Sequence, residues 1–162
     1  MRVNRTTQEL TGVYFSPLGD IVLTSDGSAL TGLRFAEATN GEQAQGIPSL
    51  EDACRWLDLF FNGVRPDFTP RLAPRGTPFQ QSVWRELLAI PYGHTVSYGY
   101  IAQRLHCSSA QAVGGAVGRN PIALIIPCHR VIGSDDHLTG YAYGLDRKQW
   151  LLAHEAQSTG RS

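Results

Sequence analysis

The chain has 162 residues, 42% hydrophobic and 17% charged, a balance that excludes a disordered segment and suits one ordinary domain or two small ones. Its 14 basic and 14 acidic residues cancel, which argues against a partner held mainly by charge but not against one gripped through helix N-termini and backbone amides. No run approaches the ~18 apolar residues of a membrane span, and MRVNRTTQEL lacks a signal-peptide core, so a cytoplasmic protein with reduced thiols is expected.

In chain order, SPLGDIVLTSDGSALTGLRF gives two apolar runs, Ile21 to Leu23 and Leu30 to Phe35, around the turn SDGS. That is a hairpin pattern. A polar loop follows from Glu37 to Pro48. Then SLEDACRWLDLFF reads as a helix opened by Ser49, with Leu50, Ala53, Cys54, Leu57 and Phe60 or Phe61 on its apolar face. Cys54 on that face reads as core packing. Next, FTPRLAPRGTPF is proline-rich and aperiodic, an extended linker. The expected organisation is a small α+β domain over residues 1–70, a linker over 71–78 and a mainly helical domain over 79–162.

Beyond the linker the period becomes helical. TPFQQSVWRELLAI places Phe79, Val83, Trp84, Leu87 and Leu88 at helical spacing, with Thr77 as cap and Pro78 in the first turn. Ser97 can cap YGYIAQRLH, and Ser108 or Ser109 can cap AQAVGGAVGRN, so two short helices across a tight turn form a helix-turn-helix candidate. The second helix is nearly bare, and each interior glycine costs ~1 kcal/mol against alanine. Two readings stay open: tight packing against a neighbouring helix, or close approach to something bulky such as a DNA groove. The run Ile122 to Ile126 reads as a strand closed by Pro127, a glycine-rich loop GSDDHLTGYAYG follows, and LDRKQWLLAHE forms a last helix capped by Asp146, with Trp150, Leu151 and His154 along one face.

Chemistry concentrates in IPCHRVIG. Of the three cysteines, Cys54, Cys107 and Cys128, none forms a CxxC pair or a zinc spacing. Cys128 sits just past an expected strand end, where reactive groups tend to be held. Its thiol, with a pKa near ~8.5, is mostly protonated at neutral pH and needs a base to attack. His129 is adjacent, but neighbours in extended backbone point to opposite faces, so a bend after Pro127 or a bridging water is required. Taken alone, the pair is compatible with a nucleophile or with a buried inert thiol.

The blocks IPCHRVIG, GTPFQQSVWRELLAIPYG, SYGYIA, AVGGAVGRNP and LTGYAYGLDRKQWLLAHE resemble, in order and spacing, those of the O6-alkylguanine-DNA alkyltransferases, densely over residues 76–156 and more loosely toward the N-terminus. The resemblance implies an α+β fold and direct repair of double-stranded DNA. A flipped-out alkylated base, O6-alkylguanine or O4-alkylthymine, would give up its alkyl group irreversibly to Cys128, once per molecule and without a cofactor. It further implies that His129 deprotonates Cys128 through a water, that Glu155 orients His129, and that Tyr98 donates a proton toward the leaving base. Asn120 would tie the second helix to the active-site turn. Val131, Tyr141, Ala142 and Tyr143 would wall the base pocket. Gln111, Ala112, Gly115 and Tyr98 would meet the DNA minor groove, and Arg130 would be structural, locking the two domains together. No bound metal is expected, since the first 70 residues hold one cysteine and no histidine, and a monomer without membrane contact is expected as well. Two positions depart from the family pattern. Gln111 stands where arginine usually fills the gap left by the flipped base. Tyr143 stands where glycine is common, and should narrow the pocket, which slow labelling by a benzylguanine probe would test. The alternative is a non-catalytic, damage-binding relative, and the retained Cys128 weighs against it; a cysteine hydrolase would leave the helix-turn-helix without a purpose.

Overall fold

The computed structural model describes residues 9–39, 41–133 and 140–159. The opening MRVNRTTQ and the stretch 134–139 of the glycine-rich loop therefore lie outside the described residues. Residues up to Pro74 form one compact unit and those from Arg75 a second.

In the first unit, β1 (Leu10–Ser16), β2 (Gly19–Ser25) and β3 (Leu30–Ala36) form an antiparallel sheet in that order. Val13 pairs with Val22, and Leu23 with Leu33. The hairpin expected around SDGS is β2–β3. Its turn closes because the Asp26 carboxylate accepts from the amides of Ser28 and Ala29, both at 2.9 Å, while Gly27 takes φ +102°. β1 was not legible as a strand: Gly12, Val13 and Tyr14 are buried in succession, so the two-residue alternation is lost.

Helix α1 (Pro48–Phe61) packs Leu50, Ala53, Trp56, Leu57 and Phe60 inward at spacings of three and four. Its N-cap is Ile47 and Pro48 occupies the first turn. Ser49 is therefore not the cap expected of it; its buried hydroxyl hydrogen-bonds Ser25. Cys54 is half-buried, and burial, reinforced by Asp58 and Glu51, pushes its thiol up to about 11, which leaves it unreactive at neutral pH.

The second unit begins with α2 (Pro78–Leu88). Thr77 and Gln80 cap it reciprocally: the Thr77 hydroxyl accepts from the Gln80 amide at 3.1 Å, and the Gln80 side chain accepts from the Thr77 amide at 3.0 Å. A short β4 (Val96–Ser97) runs parallel to β5 (Val131–Ile132). Between them come α3 (Tyr98–Arg104) and α4 (Ala110–Gly118), whose N-caps are Ser97 and Ser109, each accepting one amide at 3.0 Å. The turn between the two helices includes His106 at φ 55°. Trp84 of α2 donates its indole N–H to the Ala116 carbonyl at 2.9 Å, tying α2 to α4. The last helix is α5 (Leu145–Thr159). Asp146 lies inside its first turn rather than before it, and its buried line runs Lys148, Leu151, Glu155, in place of the Trp150–Leu151–His154 face expected.

The run Ile122 to Ile126 is a buried turn, not a strand. Leu124 adopts φ 69°, and Ile126 donates to the Ile122 carbonyl at 3.1 Å. Proline at 121 and 127 removes two ladder donors, and the Asn120 side chain takes up groups a strand would pair. An apolar run alone does not separate a buried strand from a buried turn. Among the described residues, no helix is long and apolar enough to cross a membrane.

Candidate active site

The site is assembled by the end of α4, the turn after Pro127, and α5. Asn120, just past the α4 cap, is buried and bifunctional. Its amide nitrogen donates to the Ile126 carbonyl at 2.7 Å, and its carbonyl oxygen accepts from the Ile122 amide at 3.0 Å. One side chain thus fixes both ends of the turn that delivers Cys128. Immediately after Pro127 the backbone closes a single 3-10 turn over Cys128–Arg130, with the Arg130 amide donating to the Pro127 carbonyl at 3.0 Å. This is the bend that an extended segment lacks. It frees Cys128 and His129 from the opposite faces of a strand.

His129 is wholly buried, and its Nε2 lies 2.6 Å from Glu155 Oε2. Burial opposes ionisation of Glu155, but hydrogen bonds and charge from His129 and Arg130 outweigh it and hold the carboxyl at about 2. An ionised carboxylate only accepts, so Nε2 carries the hydrogen and, in the neutral ring, Nδ1 carries the lone pair. Burial also pushes the imidazole below its ordinary value, helped by Arg130 and Lys148 and resisted by Glu155. His129 is therefore neutral near pH 7, and its Nε2–H, together with the hydrogen bonds and permanent charge of Arg130, keeps Glu155 ionised. At Cys128, burial pushes the thiol up, while a hydrogen bond to Asn120, one from its own backbone, and the charge of Lys148 favour the thiolate. Proton removal at Cys128 needs a base, and a neutral imidazole in the next residue meets that requirement.

Cys128 opens onto a cavity of about 320 Å³ lined by Tyr98, Gly114, Val117, Asn120, Gly140, Tyr141, Ala142 and Tyr143, among others. That volume falls within the range of small-ligand sites. Tyr141 and Tyr143 meet edge to face with centroids 5.6 Å apart, and Arg147 donates to the Tyr143 carbonyl at 3.1 Å, which fixes the rim. Val131 is not among the lining residues: it is fully buried in β5, where it pairs with Val96.

The α4 face is bare. Gln111, Ala112 and Gly118 are exposed and Gly115 is half-buried. A Cβ at Gly118 would meet nothing within 4 Å, and one at Gly114 would touch the Tyr98 ring at 3.8 Å, an ordinary contact. At Gly115 the nearest atom, 3.4 Å away, is the end of the flexible Arg119 side chain. Packing within the chain thus requires none of these glycines, although they weaken the helix.

The sequence did not disclose the role of Arg130. Its guanidinium hydrogen-bonds both Glu155 oxygens at 2.9–3.1 Å, donates to the Ile90 carbonyl at 2.8 Å and lies 5.5 Å from the centre of the Tyr92 ring. These contacts brace the second unit internally. Lys148, the only lysine, was also passed over; it is fully buried and donates to the Gly140 carbonyl of the cavity rim at 3.4 Å. Among the described residues, no cluster of three or more histidine, cysteine or acidic side chains is placed to hold a metal ion.

Residues 78–157 match the family described as 6-O-methylguanine DNA methyltransferase, DNA binding domain, and residues 10–74 match its ribonuclease-like domain. A methylated-DNA–protein-cysteine methyltransferase of Methanosarcina acetivorans is 43% identical over 152 residues, covering 88% of this chain and 96% of the relative. The protein of that name from Mycobacterium tuberculosis is 46% identical over 145 residues, covering 86% and 88%. The crystal structure of Mycobacterium tuberculosis O6-methylguanine methyltransferase shares the fold with a TM-score of 0.84 at 41% identity, covering 96% of this chain and 97% of that one. A structure of the Mycobacterium tuberculosis protein in complex with DNA gives 0.82 at 43% identity, covering 91% and 93%. The matches span both units and agree with the site on one class, a transferase that works through a cysteine. This chain belongs to the 6-O-methylguanine DNA methyltransferase family.

The buried relay makes folding pH-dependent. Glu155 is depressed in the folded state, so its contribution is present above its unfolded value of about 4.3 and is lost as pH falls toward 2. His129 is also depressed, so the unfolded chain gains a proton first below about 6.5. Both act in the same direction. The urea midpoint should fall from pH 7 to pH 5 and fall further by pH 3.5; a midpoint that rises on acidification would contradict the relay.

Proposed function

We propose that this protein repairs alkylated DNA by taking the alkyl group of O6-alkylguanine onto Cys128. The observation that carries the reading is the buried His129–Glu155 pair behind a cysteine that opens onto a cavity. The Cys128 thiol gives its proton, through a water, to His129 Nδ1, and the sulfur attacks the alkyl carbon. The carbon–O6 bond breaks with its electron pair passing to the base, toward which Tyr98 directs a proton. The resulting thioether is not hydrolysed, so each molecule reacts once and no cofactor is consumed.

A base in duplex DNA is out of reach of a buried thiol and must be flipped into the cavity at the cost of a few kcal/mol of stacking. Tyr141, Ala142 and Tyr143 wall that cavity, and Asn120 holds the turn. The bare face of α4, with Gln111, Ala112 and Gly115, suits the narrow minor groove of double-stranded DNA. Gln111 fills the space the base vacates. A cytoplasmic monomer fits these features.

Incubation with an oligonucleotide containing O6-methylguanine should add one methyl to the intact mass of the protein, and nothing to a Cys128→Ser variant. Retained binding with no mass change would turn the reading to a damage-binding module. Glutamine is shorter than arginine and uncharged, so Gln111→Arg should speed single-turnover repair of a methylated duplex, by roughly tenfold if one charged hydrogen bond is gained. Equal rates on the same duplex would remove the assigned role of Gln111.

A further inference from the structure

Proton transfer from Cys128 to His129 does not by itself explain why a guanidinium is buried against the same carboxylate. Arg130 Nε lies 2.9 Å from Glu155 Oε1 and 3.1 Å from Oε2, and Nη2 lies 2.9 Å from Oε2. The Gly93 amide donates to Oε1 at 3.1 Å, and His129 shares Oε2 with Arg130. Burying three ionisable groups together is costly unless each is matched. A histidine facing a buried carboxylate alone is drawn toward its protonated form, because the opposite charge stabilises imidazolium. A protonated ring cannot take the thiol proton. The carboxylate that orients the base therefore threatens to disable it.

The surroundings of His129 remove the threat. From α5 it faces Glu155 and Lys148, and on its own turn it is flanked by Cys128 and Arg130. Tyr92, in the segment after α2, lies against the Arg130–Glu155 pair. Arg130 binds the carboxylate directly, and its charge does not titrate near neutral pH. The Ile90 carbonyl and the Tyr92 ring fix its fork in place.

We propose that Arg130 is a positioning residue for alkyl transfer: by neutralising Glu155 while leaving it free to accept from Nε2, it keeps His129 an oriented, uncharged base. The inference rests on the reading of His129 as the group that accepts the Cys128 proton. In that step the S–H bond breaks, an N–H bond forms at Nδ1, and the electron pair stays on sulfur. Burial supplies most of the pressure against a charged ring, and Arg130 offsets part of the opposing pull of Glu155.

The test is the pH dependence of single-turnover methyl transfer from an O6-methylguanine oligonucleotide, in the full chain and in Arg130→Met and Arg130→Lys. Loss of the fixed charge in Arg130→Met should move the acid limb to higher pH by on the order of one unit. Arg130→Lys, which restores the charge, should bring the limb back even if thermal stability is not restored. An Arg130→Met protein that is folded by circular dichroism and loses rate equally at every pH, with the limb unmoved, would reduce Arg130 to a purely structural part. A second measurement covers the case in which Arg130→Met does not fold. Ring-nitrogen NMR of the unsubstituted protein should show His129 neutral, with hydrogen on Nε2, at pH 6, and an imidazolium signal there would overturn the proposal. Complete absence of methyl transfer in the unsubstituted protein would instead overturn the functional reading beneath it.

Discussion

A single buried carboxylate organises the second unit of this protein. Glu155, one turn from the end of α5, is almost fully enclosed and accepts hydrogen bonds from His129, Arg130 and the Gly93 amide. An isolated carboxylate in that position would cost several kcal/mol in lost hydration. Removing any partner would leave the others uncompensated, so the 3-10 turn, the segment after α2 and α5 are held to one arrangement. The order of that arrangement is chemical as well as mechanical. Because Glu155 stays ionised, it dictates which ring nitrogen of His129 carries hydrogen and which can receive it.

Around this centre the structure separates two demands that conflict. The thiol must be sheltered, since burial keeps it protonated and inert toward solvent-borne reagents. It must also meet a base as large as guanine. The cavity between the Tyr98 side of the helix pair and the Tyr141–Tyr143 rim meets the second demand without exposing the first. The weak, glycine-rich α4 fits the same compromise. Its glycines are not required by packing within the chain, and the stability they forgo corresponds to a smooth surface facing outward.

Much of this was legible in the sequence where the signal is local. Thr77, Ser97 and Ser109 announce their helices through hydroxyls within three residues of the amides they cap. The turn of the β2–β3 hairpin is written in SDGS. The site was harder. Cys128, His129 and Glu155 were found through the resemblance of whole blocks, because 26 residues separate His129 from Glu155 and no short-range pattern links them. Ile122 to Ile126 misread as a strand because burial, proline and the Asn120 clamp, rather than periodicity, decide its path. Arg130 and Lys148 were undervalued because a charged residue beside an apolar run gives no sign that it will be buried with its counter-charge.

The claim that the Glu155 carboxylate both builds and tunes the acceptor site is tested most directly by Glu155→Gln, which keeps the shape and removes the charge. The quantity to measure is the single-turnover rate of methyl transfer from an O6-methylguanine duplex, below the melting temperature of the variant. The account predicts a rate at least ~100-fold below that of the unsubstituted protein, the scale of a lost general base, with the helices retained by circular dichroism. A rate within about twofold of the unsubstituted protein would contradict it.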